Sequence, residues 1–234
     1  MIFGISNKKG NKSIYNDTPK TLLVYEEKLR NEFNGPFSVL IPNCMDGFSV
    51  LPLVRRNHIV DCYETNDIFL NGGNYDEFYT RGLLNKIKDE NLQDKTNLIK
   101  KNFYENRIEK QYNFVYSYRS LHLSENSHID MRKKVKKLQS SVKDGGYIYI
   151  FYYIADDEKN YNLYPSNSYF RTYEMKEMFD KNYWEIIYSV ENHIRQHGPH
   201  INNNKLHYHK TGTIFAKKKN HRRKLRYKYT YNIC

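Results

Sequence analysis

The sequence predicts an α/β fold: a mostly parallel sheet with helices on both faces, ending in an antiparallel hairpin. Three observations lead to this prediction. A strand, a tight turn, a helix and a second strand follow one another between Phe37 and Glu64. Short apolar, β-prone runs then alternate with helical patterns, as parallel sheets require. Two last strand-like runs, residues 184–190 and 211–216, are joined by a histidine-rich loop and are expected to pair antiparallel.

A helix precedes the first strand. Asp17 is a capping residue and Pro19 suits a first helical turn. Apolar residues then recur at helical spacing as far as Phe33, and Asn34-Gly35-Pro36 ends the pattern. Residues 1–36 are therefore expected to form a polar arm followed by one helix.

The stretch from Phe37 to Glu64 organises the rest of the chain. Phe37–Ile41 is an apolar run typical of a buried strand, and Asn43–Gly47 is a tight turn. Pro52 is tolerated only in a first helical turn, so the next helix begins close to it or is kinked there. A strand to Tyr63 then ends at Glu64, roughly 17 residues after Gly47 and close to the ~20 typical of a ribose-binding acid. This order is the first half of a nucleotide-binding βαβ unit.

The remaining chain predicts a loop at 71–74, helices at 77–92, 127–140 and 172–179, strands at 96–100, 112–118 and 147–153, and a polar loop at 155–169. Open α/β sheets bind ligands at the carboxyl ends of their strands. Asn102 and Phe103 follow the third strand, and Ser117, Tyr118, Arg119 and His122 follow or end the fourth. These six residues are candidate ligand contacts, although Phe103 is equally compatible with a core position. The lysines of the 127–140 helix are interpreted as a solvated face.

Composition restricts the possible classes of protein. The chain carries 23 Tyr and 12 Phe, so an aromatic core is expected. No apolar run approaches the ~18 residues that cross a bilayer, and the three cysteines form no disulfide or metal motif. These features favour a reducing, cytoplasmic setting without membrane insertion.

The formal charge of +12 is concentrated at the C-terminus. Residues 217–234 contain eight Lys and Arg and no acid. Such a tail is able to contact nucleic acid, and a solvated tail that only aids solubility is at least as compatible with the pattern.

Five histidines form a second constellation with Glu191; they are His193, His197, His200, His207 and His209. Two separated pairs are able to reach a zinc ion. Their spacing matches no metal motif, however, and no cysteine joins them. A polar rim is therefore favoured over a metal site.

With these elements in place, the chain resembles the class I S-adenosylmethionine-dependent methyltransferases over residues 37–217. Three segments carry the resemblance: VLIPNCMDGF followed by VDCYETN, YNFVYSYRSLHL, and VKDGGYIYIFYY. The ending HGPHINNNKLHYHKTGTIFAKK is similar to the closing hairpin of the tellurite-resistance and thiopurine-type branch, whose members methylate small acceptors. The resemblance implies a seven-stranded Rossmann-like domain at 37–217, followed by a basic tail at 218–234.

The resemblance also implies roles for individual residues. The loop Asn43, Cys44, Met45 and Gly47 would hold the methionine part of S-adenosylmethionine, and Glu64 the ribose. Asn102 and Phe103 would hold the adenine, and Ser117 lies beside the cofactor. Tyr118, Arg119 and His122 would lie nearest a small-molecule acceptor, with Arg119 binding an anionic acceptor and His122 acting as a general base. A metal is not expected.

The loop departs from the family's G-x-G-x-G pattern at Asn43 and Met45. Asn tolerates left-handed backbone, whereas the Met45 side chain needs space that glycine does not. A methyltransferase with a small-molecule acceptor is favoured, and three alternatives stay open. The basic tail leaves open a methyltransferase-like protein that acts on or binds nucleic acid, and the loop departure leaves open a non-catalytic descendant. The third alternative is a nicotinamide enzyme. The last is least favoured because the loop has even less of that fingerprint. The amino-methyltransferase signature D/N-P-P-Y is absent, which counts against base N-methylation.

Overall fold

A computed structural model describes residues 19–75, 78–154, 169–197 and 207–220. The chain divides into two compact units, Met1–Arg107 and Ile108–Cys234. In the first unit the helices are α1 (Lys20–Glu32), α2 (Val50–Val54), α3 (Asp67–Asn71) and α4 (Leu83–Asp89). The strands are β1 (Ser38–Ile41), β2 (Ile59–Tyr63), β3 (Gly73–Tyr75), β4 (Phe78–Thr80) and β5 (Thr96–Ile99).

The second unit has two helices and four strands among its described residues. The helices are α5 (Met131–Ser140) and α6 (Thr172–Glu177). The strands are β6 (Tyr112–Ser117), β7 (Val142–Ile154), β8 (Trp184–His197) and β9 (His207–Lys218). Short 3₁₀ turns at Ser120–His122 and Ser124–Asn126 follow β6.

Seven of the strands form one sheet with the order β5-β2-β1-β6-β7-β9-β8. β1 pairs parallel with β2, β2 with β5, and β6 with β7. β9 runs antiparallel to both β7 and β8. The predicted mostly parallel sheet with a closing antiparallel pair is therefore confirmed, including the number of strands.

The segment between β2 and β5 differs from the prediction. A helix was expected over 77–92, but the structure has a two-stranded hairpin of β3 and β4 before a shorter helix α4. The reason is a close backbone approach. A Cβ on Gly82 would lie 2.2 Å from the backbone nitrogen of Gly72, and both glycines have positive φ. Only glycine permits that approach, and it delays the start of α4 until Leu83.

The sequence predicts the starts of α2 and α5 from local features. α2 begins at Val50, which puts Pro52 in its first turn, so no kink is needed. α5 begins at Met131, later than predicted, because the Asp130 side chain accepts a hydrogen bond from the Lys133 N–H. Ser127 therefore does not cap this helix.

The last two strands are longer than predicted. Because β8 extends to His197 and β9 begins at His207, most of the histidine constellation belongs to strand backbone rather than to a loop. The side chains of His193, His197, His207 and His209, and all of His200, lie outside the described residues. The same holds for the predicted arm at 1–16, the loop at 155–168 and the tail after residue 220.

The core of the second unit is aromatic, as the composition predicts. Its largest fully buried side chains include Tyr112, Phe114, Tyr116, Tyr149, Tyr152 and Phe215. The first unit buries the aliphatic residues of β1 and α2 together with aromatic residues such as Phe69 and Phe103. Within the described part of the chain, no helix has the length and apolar character needed to cross a membrane.

Candidate functional site

The loop after β1 is a tight, buried turn. The Cys44 N–H donates to the Tyr63 carbonyl at 2.9 Å, and the Gly47 N–H donates to the Cys44 carbonyl at 3.0 Å. Met45 and Gly47 both have positive φ, at 49° and 94°. Positive φ suits Gly47, whereas for a methionine it is unfavourable and must be held by neighbours.

Glu64 at the end of β2 holds this loop. Its Oε2 accepts a hydrogen bond from the Met45 N–H at 2.8 Å. Its Oε1 accepts hydrogen bonds from the Thr65 and Asn66 N–H groups at 3.0 and 2.9 Å. The carboxylate is buried, so these charge-assisted hydrogen bonds are strong. The predicted ribose-binding acid and the predicted cofactor loop are therefore in direct contact.

Two polar side-chain atoms, one in this loop and one at the start of α2, are buried without partners among the described residues. They are the Asn43 amide nitrogen Nδ2 and the Ser49 hydroxyl Oγ. A buried polar atom without a hydrogen bond is unfavourable by about 1–3 kcal/mol, and such atoms are rare in folded proteins. Both atoms lie in the segment expected to face a ligand, and both suit a polar ligand such as an amino acid group.

Cys44 contributes packing rather than chemistry. Burial raises the pKa of its thiol well above the usual value, and the neighbouring Cys62 and Glu64 raise it further. The thiol therefore stays protonated at neutral pH and is a poor nucleophile. Its role in the loop is the backbone hydrogen bond to Tyr63.

A buried ion pair that was not predicted from the sequence connects the loop after β1 to helix α4. The Lys86 ammonium on α4 donates to the Asp46 carbonyl at 3.0 Å and to the Asp46 carboxylate at 3.2 Å, and both side chains are buried. Gly47 lies against the same helix, since a Cβ there would come within 2.5 Å of Leu83 Cδ1. An acid directly before the glycine was a usable signal in the sequence, but nothing there distinguishes Lys86 from its solvated neighbours.

The predicted adenine contacts have structural partners. The Asn102 Oδ1 accepts a hydrogen bond from the Tyr104 N–H at 3.0 Å, which stabilises the turn after β5. Phe103 is buried and packs edge-on against Tyr63 and Tyr104, with ring centroids 5.3 and 5.0 Å apart. A role for either residue in cofactor binding stays a prediction.

The second unit holds Ser117, predicted to lie beside the cofactor, and the predicted acceptor residues Tyr118, Arg119 and His122. Ser117 is buried at the end of β6, and its hydroxyl lies 2.7 Å from that of Ser120. Tyr118 is half-buried, with its ring 4.9 Å from that of Phe151. The Arg119 guanidinium lies 5.3 Å from the centre of the Tyr118 ring, and Arg119 itself has left-handed backbone with φ 61°. A left-handed non-glycine residue is strained and is often found at functional positions.

His122 is tied to the neighbouring strand. Its Nε2 accepts a hydrogen bond from the Tyr153 N–H at 2.9 Å, and the two rings are 4.3 Å apart. An accepting Nε2 places the proton of a neutral ring on Nδ1. In that arrangement neither nitrogen is ready to take a proton, so the geometry favours a positioning role over the predicted general base.

One lysine of α5 is not solvated, contrary to the sequence interpretation. Lys134 is buried and its ammonium donates to the Leu121 carbonyl at 2.8 Å. Burial lowers the pKa of Lys134 to about 8, with Asp130 opposing the shift. The contact fixes the turn that carries Arg119 and His122.

A separate cleft of about 530 Å³ lies near the start of β2, at the opposite end of the strand from Glu64. Its lining includes Arg30, Arg55 and Arg56. Each of these arginines is paired with an acid, Arg30 and Arg56 with Glu26, and Arg55 with Glu90. The cleft is therefore a charge-balanced structural feature rather than part of the candidate site.

No protein-family model and no curated protein sequence matches the chain. Solved structures do resemble it. TehB from Haemophilus influenzae has 20% sequence identity and a TM-score of 0.64, covering 91% of this chain. The match covers 65% of TehB, so the chain spans somewhat less than two thirds of that protein.

Two further structures give similar agreement. One is the Burkholderia thailandensis 1,6-didemethyltoxoflavin-N1-methyltransferase, solved with 1,6-didemethyltoxoflavin and S-adenosylhomocysteine, at 10% identity and a TM-score of 0.53, covering 86% of this chain and 79% of that one. The other is the YcgJ protein of Bacillus subtilis, at 10% identity and a TM-score of 0.56, covering 84% and 99%. The chain therefore has the Rossmann-like fold of class I methyltransferases, with the strand order described above.

Proposed function

We propose that the chain is an S-adenosylmethionine-dependent methyltransferase that acts on a small-molecule acceptor. One observation carries the proposal. The buried Glu64 carboxylate at the tip of β2 holds the backbone of the loop after β1, at the 2.8 Å contact with the Met45 N–H. An acid at this place in an open α/β sheet is the group that binds ribose hydroxyls.

The residues of the first unit fit the cofactor chemically. The buried Asn43 amide nitrogen offers a hydrogen-bond donor to the methionine carboxylate. The buried Ser49 hydroxyl is able to donate to that carboxylate or to accept from the methionine amine. Glu64 accepts hydrogen bonds from ribose hydroxyls, sharing or replacing its contact with Met45. Asn102 and Phe103 are the proposed adenine contacts, and Cys44 and Gly47 shape the loop. When bound, the cofactor would supply the methyl group of its sulfonium: the acceptor heteroatom bonds to the methyl carbon as the carbon–sulfur bond breaks, and S-adenosylhomocysteine leaves with the bonding electron pair.

The residues of the second unit orient the acceptor. Tyr118 and Arg119 follow the carboxyl end of β6, where open sheets bind ligands. Arg119 provides a cationic fork for an anionic acceptor, and Ser117 and His122 hold the turn in place. Alignment of donor and acceptor supplies most of the rate in such a displacement, so these residues are proposed to position rather than to transfer protons.

Calorimetric titration of the full chain with S-adenosylmethionine, S-adenosylhomocysteine and NAD⁺ tests the proposal. Micromolar binding of the first two without binding of NAD⁺ is expected. Binding of NAD⁺ alone would point to the nicotinamide alternative. Binding of none of the three, by protein whose circular dichroism shows a folded α/β chain, would contradict the proposal and favour the non-catalytic descendant.

A further inference from the structure

An aromatic ladder runs along β6 and β7 in the second unit. Side chains two residues apart lie on the same face of a strand, and here they carry aromatic rings on both strands. The ring of Tyr116 stacks on that of Tyr149 at 5.0 Å, and the ring of Tyr118 lies 4.9 Å from that of Phe151. Phe151 in turn lies 5.9 Å from Tyr153. The ladder is therefore continuous to the carboxyl ends of both strands.

The ladder becomes more exposed toward those ends. Tyr116 and Tyr149 are buried, whereas Tyr118, Phe151 and Tyr153 are half-buried. Tyr169 extends the half-buried end, with its ring 6.5 Å from that of Tyr153. We call these four half-buried rings, Tyr118, Phe151, Tyr153 and Tyr169, the aromatic wall. The ladder therefore ends in a cluster of partly accessible aromatic rings, and such rings are typical of the lining of ligand-binding sites.

A cation lies at the edge of the aromatic wall. The Arg119 guanidinium is 5.3 Å from the centre of the Tyr118 ring, and its residue has φ 61°. That distance is within the roughly 6 Å over which a cation is attracted to the face of an aromatic ring, so a cation lies beside the rings. The wall therefore joins flat apolar surfaces to one positive charge.

From this combination we propose the chemical class of the acceptor. It is a planar aromatic molecule with an anionic substituent, which stacks on the aromatic wall and directs its anion to Arg119. The rings of the wall are tilted against one another, by 44° between Tyr118 and Phe151 and by 75° between Phe151 and Tyr153. A flat π-system is therefore able to stack on one ring and meet the next edge-on, and both contacts favour it over a saturated ring of equal size. A small inorganic oxyanion would use Arg119 alone and leave the rings without function. This inference rests on the proposed methyltransferase function, since it treats the wall as the acceptor site.

The experiment uses 2-naphthoate as the probe. Three comparison compounds each change one property: decahydro-2-naphthoate has no π-face, 2-naphthalenemethanol has no charge, and inorganic phosphate has no ring. Binding to the full chain is measured by calorimetry with and without saturating S-adenosylhomocysteine. We expect 2-naphthoate to bind about tenfold more tightly than the saturated compound, as one or two ring contacts provide. It is also expected to bind more tightly than the alcohol and phosphate.

Variants assign the binding to the wall. Phe151→Leu and Tyr153→Leu are each expected to weaken 2-naphthoate binding severalfold and leave decahydro-2-naphthoate nearly unchanged. Arg119→Gln is expected to remove the preference for the acid over the alcohol. Tyr183→Leu is the matched control, because Tyr183 is an exposed tyrosine far along the sheet from the aromatic wall. It directly precedes Trp184, the first residue of β8, which pairs with the last residue of β9. That end of β9 lies beside the amino end of β7, whereas Tyr153 lies near the carboxyl end of β7.

The outcomes separate the two proposals. Absence of 2-naphthoate binding, equal affinity for the aromatic and saturated acids, or unchanged binding in the folded Phe151 and Tyr153 variants would overturn the aromatic acceptor. The affinity for S-adenosylhomocysteine, measured in the same titrations, is expected to be the same whichever of these outcomes is found. Loss of cofactor binding alone would overturn the methyltransferase function and leave an aromatic binding site.

Discussion

The backbone N–H of Met45 donates a hydrogen bond to the Glu64 carboxylate at 2.8 Å. This contact explains how a methionine occupies a loop position that usually belongs to glycine. Its left-handed backbone is fixed by a charged acceptor, and its side chain is only 7% exposed, so the side chain packs within the protein. The side chain therefore finds space without opening the loop.

The buried pair of Asp46 and Lys86 is expected to dominate the stability of the loop. Lys86→Met leaves a buried carboxylate without its cation, so we expect the free energy of unfolding to fall by about 3 kcal/mol. Lys100→Met is the control, because its pair with Asp67 is exposed and is worth about 0–1 kcal/mol. Urea unfolding of both variants measures the difference. Equal effects of the two substitutions would contradict the assignment.

A second buried pair predicts acid sensitivity. His58 Nδ1 accepts a hydrogen bond from the Phe37 N–H at 3.2 Å, and its Nε2 lies 2.7 Å from the Glu26 carboxylate. Burial lowers the pKa of His58 and outweighs the opposing effect of Glu26. For Glu26, burial raises the pKa, but hydrogen bonds from His58 and Arg30 outweigh it and the pKa falls.

Both shifts have the same consequence. As the pH falls through about 6.5, the unfolded chain takes up a proton at His58 before the folded chain does, so stability decreases. The contribution of Glu26 is present above its unfolded pKa and is lost at lower pH. We expect the urea midpoint to fall between pH 7.5 and 5.5 in the parent chain and less in His58→Gln. His128→Gln is the control, because it changes an exposed histidine and should keep the full pH dependence of the urea midpoint. The same full pH dependence in His58→Gln would contradict the role given to His58.

Lys134 predicts a further rise in stability with pH, in the alkaline range. Its folded pKa of about 8 lies below the value of 10.5 expected for an unperturbed lysine. Between these values the unfolded chain binds more protons, so stability should rise as the pH increases from about 8 to 9.5. Lys134→Met should abolish the rise, whereas Lys136→Met, on the exposed face of α5, should retain it. A rise of the same size in both variants would contradict the burial of Lys134.

Sequence reasoning found the sheet because β-branched and aromatic runs alternate with helical periodicity over most of the chain. It also placed Glu64 and the loop correctly in sequence, since both lie directly after strands. It missed the β3–β4 hairpin, whose existence depends on the approach of Gly82 to Gly72 in space. Lys86 and Lys134 were missed for a related reason: a lysine's burial is decided by distant backbone carbonyls.

The central claim is that the Glu64 carboxylate and the Met45 loop form the cofactor site. The most direct test is calorimetric titration of S-adenosylhomocysteine into the parent chain, Glu64→Gln and the surface control Glu90→Gln. The amide loses one charged acceptor, so we predict at least about tenfold weaker binding in Glu64→Gln and no change in Glu90→Gln. Affinity within twofold of the parent, in a Glu64→Gln protein with an unaltered circular dichroism spectrum, would contradict the claim.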